Sequence, residues 1–305
     1  MRCESTLRRT LVVVAAATVV LVIGQVPAGA GSATETPLGD HWSAPEAEAF
    51  WTTERMASAR AVDPDPDVAR AAAGPGVGQD FDGIPVVGRL FVMKDGGAYF
   101  CTASVVASPG HDLVLGAAHC LMGADTRQVA FVPHYTAGNP RPYGMFPVLK
   151  VWVDPRYQQQ GPDLAATLDV AFARVGPNDK NIAVQDQVGG NRLITGDGYE
   201  HDAIRLIGYP ASAARPRVCV NRTTRFTSDD PASPGSFLQI NCTGYPGGTS
   251  GGPFLKNYDP GTRTGEVVGV IGGWKTGGPG PDTSYSSYFG TDVRNLYRSA
   301  VDAAR

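Results

Sequence analysis

The stretch Gly248-Thr249-Ser250-Gly251-Gly252-Pro253 sets a hydroxyl in a glycine-packed bend. Glycines on both sides let the backbone take positive φ and leave no Cβ in the way of an approaching ligand. The amides of Gly248 and Ser250 can then converge beside the Ser250 hydroxyl. Such donors stabilise negative charge developing on an attacked carbonyl oxygen, the task of an oxyanion hole. A glycine-rich turn with a serine is ordinarily just a turn, so the chemistry needs partners. Two upstream segments supply them: Leu115-Gly116-Ala117-Ala118-His119-Cys120 and Leu168-Asp169-Val170-Ala171-Phe172. A serine hydroxyl is a poor nucleophile until a base takes its proton, and His119 is the natural base because the unperturbed pKa of histidine lies close to working pH. Asp169 would accept a hydrogen bond from the other ring nitrogen and stabilise the imidazolium as it forms.

Other residues compete for these roles. His41, His111, His134 and His201 are read as surface or turn residues, because none sits in a segment shaped for chemistry. Asp163 rivals Asp169, but Pro162 and the preceding Gln run place it in a loop, whereas Asp169 opens an apolar strand. Asp112 reads as a turn cap. A hydrolase of the α/β type would need the order Ser, Asp, His; here the order is His, Asp, Ser.

The elements that must position these groups are short strands at close spacing: Val86–Met93, Phe100–Ala107, Leu113–Ala118, Gln128–Val132, Phe146–Val153 and Leu168–Val175. After a polar connector around residues 176–190 come Ala203–Ile207, Arg217–Asn221, Phe237–Cys242 and Glu266–Ile271. Strands with Gly/Pro turns and scarcely any helical periodicity predict an all-β barrel or sandwich. Thr291–Ala304 is expected to close the chain as an α-helix, with Thr291 as its cap and Val293, Leu296, Tyr297 and Val301 on one face.

From Phe81 to Tyr297 the chain resembles the chymotrypsin-like (trypsin-fold) serine peptidases, in particular the secreted bacterial trypsin-like branch near the glutamyl-endopeptidase group. The Ala117-Ala118-His119-Cys120 and Gly248–Pro253 segments carry the resemblance, and Asp169-Val170-Ala171-Phe172 adds to it. It implies two six-stranded Greek-key β-barrels with a C-terminal α-helix, the cleft between them taking His119 and Asp169 from the first and Ser250 from the second. His119 is then the general base, Asp169 its orienting acid, Ser250 the nucleophile, and Gly248 and Ser250 the oxyanion amides. The implied activity is serine endopeptidase cleavage of protein or peptide substrates through an acyl-enzyme, with no cofactor and no metal. The rival is an exported binding protein of the same fold without turnover. Cys101 and Cys120 flank the segment leading to His119 and are paired, matching the family's histidine-loop disulfide; Cys219 and Cys242 are then the second pair. No Cys-x-x-Cys or paired-His spacing supports zinc instead.

Composition fits export. Arg2, Arg8 and Arg9, the 13-residue apolar run Leu11 to Ile23 and Ala28-Gly29-Ala30 read as a signal peptide over residues 1–30. The run is shorter than the ~20 residues that span a bilayer. Cys3 leaves with the signal, and the remaining four Cys make an even set. A net charge of −3 over 305 residues, without a basic block, argues against nucleic acid. A secreted monomer with no membrane attachment after signal removal is expected. Residues 31–80, rich in Ala, Glu, Pro and Gly, read as a propeptide or N-terminal extension, with a short helix over Ala44–Ala59 and linker-like punctuation at Asp63-Pro64-Asp65-Pro66-Asp67. Residues 81–305 form the peptidase domain.

Departures from the animal digestive enzymes bear on the site. Thr249 stands where those enzymes carry an Asp that pairs with a newly cut N-terminus, so the oxyanion loop must be set otherwise. Ile84-Pro85-Val86-Val87-Gly88 only loosely matches their Ile-Val-Gly-Gly start, and Gly116 replaces the usual Thr. Gly244, where trypsin-type pockets carry an Asp, gives no support for a basic preference. Gly269-Val270-Ile271-Gly272-Gly273-Trp274, expected as the rear wall, lacks the histidine of glutamyl endopeptidases. Gly244, Tyr245 and Trp274 are the pocket candidates, for a larger uncharged side chain.

Overall fold

The computed structural model describes residues 34–37, 42–63, 76–124 and 126–302. The signal-like stretch 1–30, His41 and most of the Asp-Pro linker lie outside the described residues. The extension contributes β1 (Thr34–Pro37), α1 (Ala44–Phe50), α2 (Thr53–Ser58), β2 (Arg60–Ala61) and β3 (Gln79–Asp80). The single helix expected over 44–59 is two, because Thr52 interrupts it with extended backbone and its side chain accepts the Arg55 amide as a new N-cap. This segment is bound to the first barrel: Trp51 and Met56 are fully buried in its core, and the Trp42 and Trp51 indoles donate to the Val129 and Gln128 carbonyls. Truncating a buried Trp generally costs about 3–5 kcal/mol, so residues 42–63 are held as part of the fold.

The first barrel comprises β4 (Val87–Lys94), β5 (Gly97–Val106), β6 (Leu113–Gly116), β7 (Ala130–Pro133), β8 (Phe146–Val153) and β9 (Ala171–Val175). The β4–β5 hairpin turns on Asp95-Gly96, both at positive φ (48° and 74°), which matches the right-handed twist of the two strands. Strand order β7-β4-β5-β6 is a Greek key, and β8 pairs with both β7 and β9 to close the ring. Three helices punctuate the loops: α3 (Ala118–Leu121), α4 (Pro155–Leu164) and α5 (Val184–Val188). None was expected. Asp154 caps α4 with Pro155 at its start, and Asp163, expected in a loop, lies inside this helix.

The second sheet comprises β10 (Arg192–Leu193), β11 (His201–Gly208), β12 (Arg217–Ser228), β13 (Gly235–Ile240), β14 (Pro253–Asp259), β15 (Thr264–Val270) and β16 (Ser284–Ser287). The order β14-β11-β12-β13 repeats the Greek key. The Gly272 amide donates to the Tyr285 carbonyl and the Val270 amide to Ser286 Oγ, drawing the β15 and β16 ends of the sheet together. The chain is thus mostly β, two barrels followed by α6 (Thr291–Asp302). Thr291 is the first residue of that helix and not its cap; Arg294 N–H reaches back to the Gly290 carbonyl. His201, expected at the surface, is buried on β11. The disulfides are Cys101–Cys120 and Cys219–Cys242.

Candidate active site

His119 lies in the one-turn helix α3 that follows β6, and the Cys101–Cys120 bridge ties that turn to β5. Asp169 does not open a strand as expected. It follows the 3-10 turn Ala166–Leu168, two residues before β9. There its carboxylate is fully buried and takes three N–H groups. His119 backbone N–H donates to Oδ1 at 2.9 Å, His119 Nδ1 to Oδ2 at 2.7 Å, and Gly273 N–H to Oδ2 at 2.8 Å. A carboxylate oxygen can only accept, so Nδ1 carries the proton and Nε2 is turned the other way. Gly272 is required beside it, since a Cβ there would stand 2.9 Å from Asp169 Oδ2. Tyr157 of α4 is buried against the same carboxylate. Burial, then the Asp169 charge, push this phenol far above its usual range, so it stays protonated.

Ser250 sits in the bend between β13 and β14, 4% exposed. Gly248 adopts φ +91°, and a Cβ there would lie 2.7 Å from both a Phe100 ring carbon and the Tyr209 carbonyl oxygen. Where an ion pair was ruled out by Thr249, the loop is fixed by hydrogen bonds. Thr249 Oγ1 donates to the Pro246 carbonyl at 2.7 Å and Gly251 N–H to the Ile271 carbonyl at 2.7 Å. Thr102 of β5 reaches across from the first barrel: its amide donates to the Ser250 carbonyl at 2.8 Å and its Oγ1 to the Gly248 carbonyl at 2.9 Å. The same Oγ1 accepts the Tyr209 amide at 2.8 Å. The Gly247 carbonyl accepts the Ala211 amide at 2.9 Å. In a planar trans peptide this turns the Gly248 N–H to the opposite side. Among the described residues, neither the Gly248 nor the Ser250 amide has an acceptor.

The two sides meet on a residue that the sequence placed in a linker. Asp63 Oδ2 accepts a short hydrogen bond from Ser250 Oγ and one from His119 Nε2 at 3.1 Å. Burial alone would raise the Asp63 carboxyl, but the His119 charge and hydrogen bonds from His119, Ser250 and Thr276 outweigh it and pull it down to about 2. Burial likewise opposes a charged His119, yet the Asp169 and Asp63 carboxylates prevail and lift it to about 10. Lys94 Nζ bonds the His119 carbonyl at 2.7 Å, and burial lowers its own pKa.

Beside Ser250 lies a recess of about 50 Å³ whose lining includes Tyr245, Ile271, Thr276 and the glycines 277, 278 and 280, closed on one side by Asp63. Tyr245 turns its hydroxyl away, onto the Leu206 carbonyl. Gly244 and Trp274 are elsewhere: the Gly244 carbonyl accepts from Arg217, and the Trp274 ring packs on Phe226 and Tyr285. Cys101, His119 and Cys120 bring metal-ligand atoms close together, but both sulfurs are consumed in the disulfide, which leaves no thiolate to bind an ion.

No protein-family model and no curated protein matches this sequence. Solved structures do match its fold. The protease Anisep from Arthrobacter nicotinovorans aligns with a TM-score of 0.62 over 74% of this chain and 99% of its own, at 22% identity. The thermostable serine protease AL20, from an extremophilic microorganism, aligns at 0.59 over 72% of this chain and 97% of its own, at 23% identity. A Glu endopeptidase solved in complex with MPD aligns at 0.53 over 75% and 98%, at 14% identity. The fold is therefore the chymotrypsin-like two-barrel fold of bacterial serine proteases.

Proposed function

We propose that the chain is a secreted serine endopeptidase in which Ser250, His119 and Asp169 act as nucleophile, general base and orienting acid. The supporting observation is the buried Asp169–His119 pair, whose Nε2 meets the Ser250 hydroxyl on one Asp63 oxygen, beside a loop whose Gly248 and Ser250 amides are unclaimed by the described residues. Ser250 Oγ adds to the peptide carbonyl as His119 Nε2 takes its proton, and the two amides hold the resulting oxyanion. The imidazolium then gives that proton to the departing amine as the C–N bond breaks. Water attacks the acyl-enzyme by the reverse proton path and frees Ser250. Asp169 keeps Nδ1 protonated throughout. The recess beside Ser250 has uncharged walls apart from Asp63, so it favours an uncharged substrate side chain. The apolar run before Ala28-Gly29-Ala30 serves as an export signal, and the two disulfides suit an oxidising compartment. Residues 31–80 are a propeptide, and the chain acts as a monomer on proteins or peptides. The test is a fluorophosphonate, with the labelled peptide located by mass spectrometry: an adduct on Ser250 that abolishes casein hydrolysis supports the reading, and hydrolysis that persists with Ser250 unlabelled overturns it.

A further inference from the structure

Every feature of residues 60–63 points at the catalytic groups. Arg60 and Ala61 pair in parallel with Tyr99 and Phe100 of β5, and the Val62 amide donates to the Phe100 carbonyl. Arg60 also bonds the Tyr99 hydroxyl at 2.6 Å, and Val62 packs on the Cys101–Cys120 bridge. These anchors deliver Asp63 to the site, where its main-chain oxygen crowds Gly247, 2.2 Å from where a Cβ there would stand. What Ser250 meets is therefore the side-chain carboxylate and not a peptide carbonyl. A carboxylate anion resists nucleophilic attack, so this segment does not sit as a substrate.

We propose that Asp63 is a tethered inhibitor: its carboxylate bridges Ser250 Oγ and His119 Nε2, and the enzyme is latent until Asp63 leaves the site. The inference rests on the peptidase reading above. The bridge blocks catalysis twice. It occupies the place where a scissile carbonyl must approach, and it engages the only ring nitrogen that could receive the serine proton, Nδ1 being held by Asp169. Asp63 and Asp169 flank the imidazole, Lys94 lies on its main-chain carbonyl, Tyr157 stands behind Asp169, and Cys120 is bridged. With Asp169 and Asp63 lifting the ring to about 10, the imidazole is held as the cation at pH 7.5 and cannot take the serine proton. The tether explains how one carboxylate suffices. A contact made within a chain has an effective concentration in the millimolar range or above, and cutting the connection between Asp63 and Gly76 forfeits it.

The experiment compares the parent chain, signal removed but otherwise uncut, with its Asp63→Asn and Asp63→Ala variants. Asn keeps the size and removes the charge; Ala opens the space. Fluorophosphonate labelling of Ser250 and hydrolysis of a peptide library are measured at pH 7.5, with near-UV circular dichroism to verify the fold. The His119 ring is titrated by NMR. Labelling and turnover about tenfold or more faster in both variants, together with a His119 titration moved downward from near pH 10, is the expected result. Equal and measurable labelling and turnover in all three proteins overturns the inhibitor while leaving the peptidase reading intact. Folded variants that neither label nor hydrolyse any substrate overturn both.

Discussion

Replacing Thr102 with Val exchanges one hydroxyl for a methyl group of nearly the same shape at a fully buried position. Two main-chain groups lose their partner: the Gly248 carbonyl, which accepts from Oγ1, and the Tyr209 amide, which donates to it. A buried polar group left unpaired costs about 1–3 kcal/mol, so two of them sum to roughly 2–6 kcal/mol. The extra methyl returns only about 1 kcal/mol of transfer energy. A net loss of about 1–5 kcal/mol is therefore expected in urea unfolding at pH 7. Hydrolysis should fall further than stability alone explains, because the released carbonyl belongs to the Gly248 loop that sets the oxyanion amides. Thr102→Ser is the control. It keeps the hydroxyl and should lose about 1 kcal/mol for its missing methyl, with activity largely preserved. If Val is tolerated within 0.5 kcal/mol, or if Ser is as damaging as Val, the cross-barrel hydroxyl does not set the loop.

Gly272→Ala would press a methyl onto Asp169 Oδ2, where only 2.9 Å is available. A loss of about 1–3 kcal/mol in thermal or urea unfolding, with a drop in kcat exceeding the drop in folded fraction, is the expected outcome; a neutral substitution would show that Asp169 is free to move. The Asp63 bridge also predicts a pH window for the grip of the extension. Asp63 is depressed from 3.8 to about 2, so its contribution is present above pH 4 and is lost as pH falls through 2. His119 is raised from 6.5 to about 10, so its contribution is full below pH 6.5 and is lost as pH rises through 10. Urea midpoints followed by Trp fluorescence should be highest near pH 4–6.5, and Asp63→Asn should remove the acid limb and weaken the alkaline one, where Asp169 still holds the imidazolium. An unchanged profile in the Asn variant would show that other groups control it.

The proposed catalytic side chains were legible because each lies in a short stretch of distinctive composition. Ser250 needs the glycines around it, and His119 needs the small residues and the cysteine beside it. Asp63 was not legible. Its neighbours, Pro and Asp, read as a solvated linker, and the pairing that brings it to Ser250 joins residues 187 positions apart. β14 escaped notice because it opens on a proline and its second half, Lys256-Asn257-Tyr258, is polar. β16 escaped because its four buried residues, Ser284-Tyr285-Ser286-Ser287, are mostly serines satisfied by other elements. The N-capping Asp154 and Pro155 were a usable signal for α4, but the following Gln run carries no apolar period to support it. The second ring of support around the triad residues, Thr102, Tyr157, Gly272 and the Gly273 amide, depends on distances between the two barrels and has no local signature.

If one alcohol in this cleft performs the attack on the peptide bond, removing it must end hydrolysis. The direct measurement is the rate of peptide hydrolysis by the Asp63→Ala form with and without Ser250→Ala, alongside intact mass after fluorophosphonate treatment. A single adduct, on Ser250, and a fall of several orders of magnitude in turnover when Ser250 is removed are expected. Turnover that survives Ser250→Ala undiminished would contradict this reading.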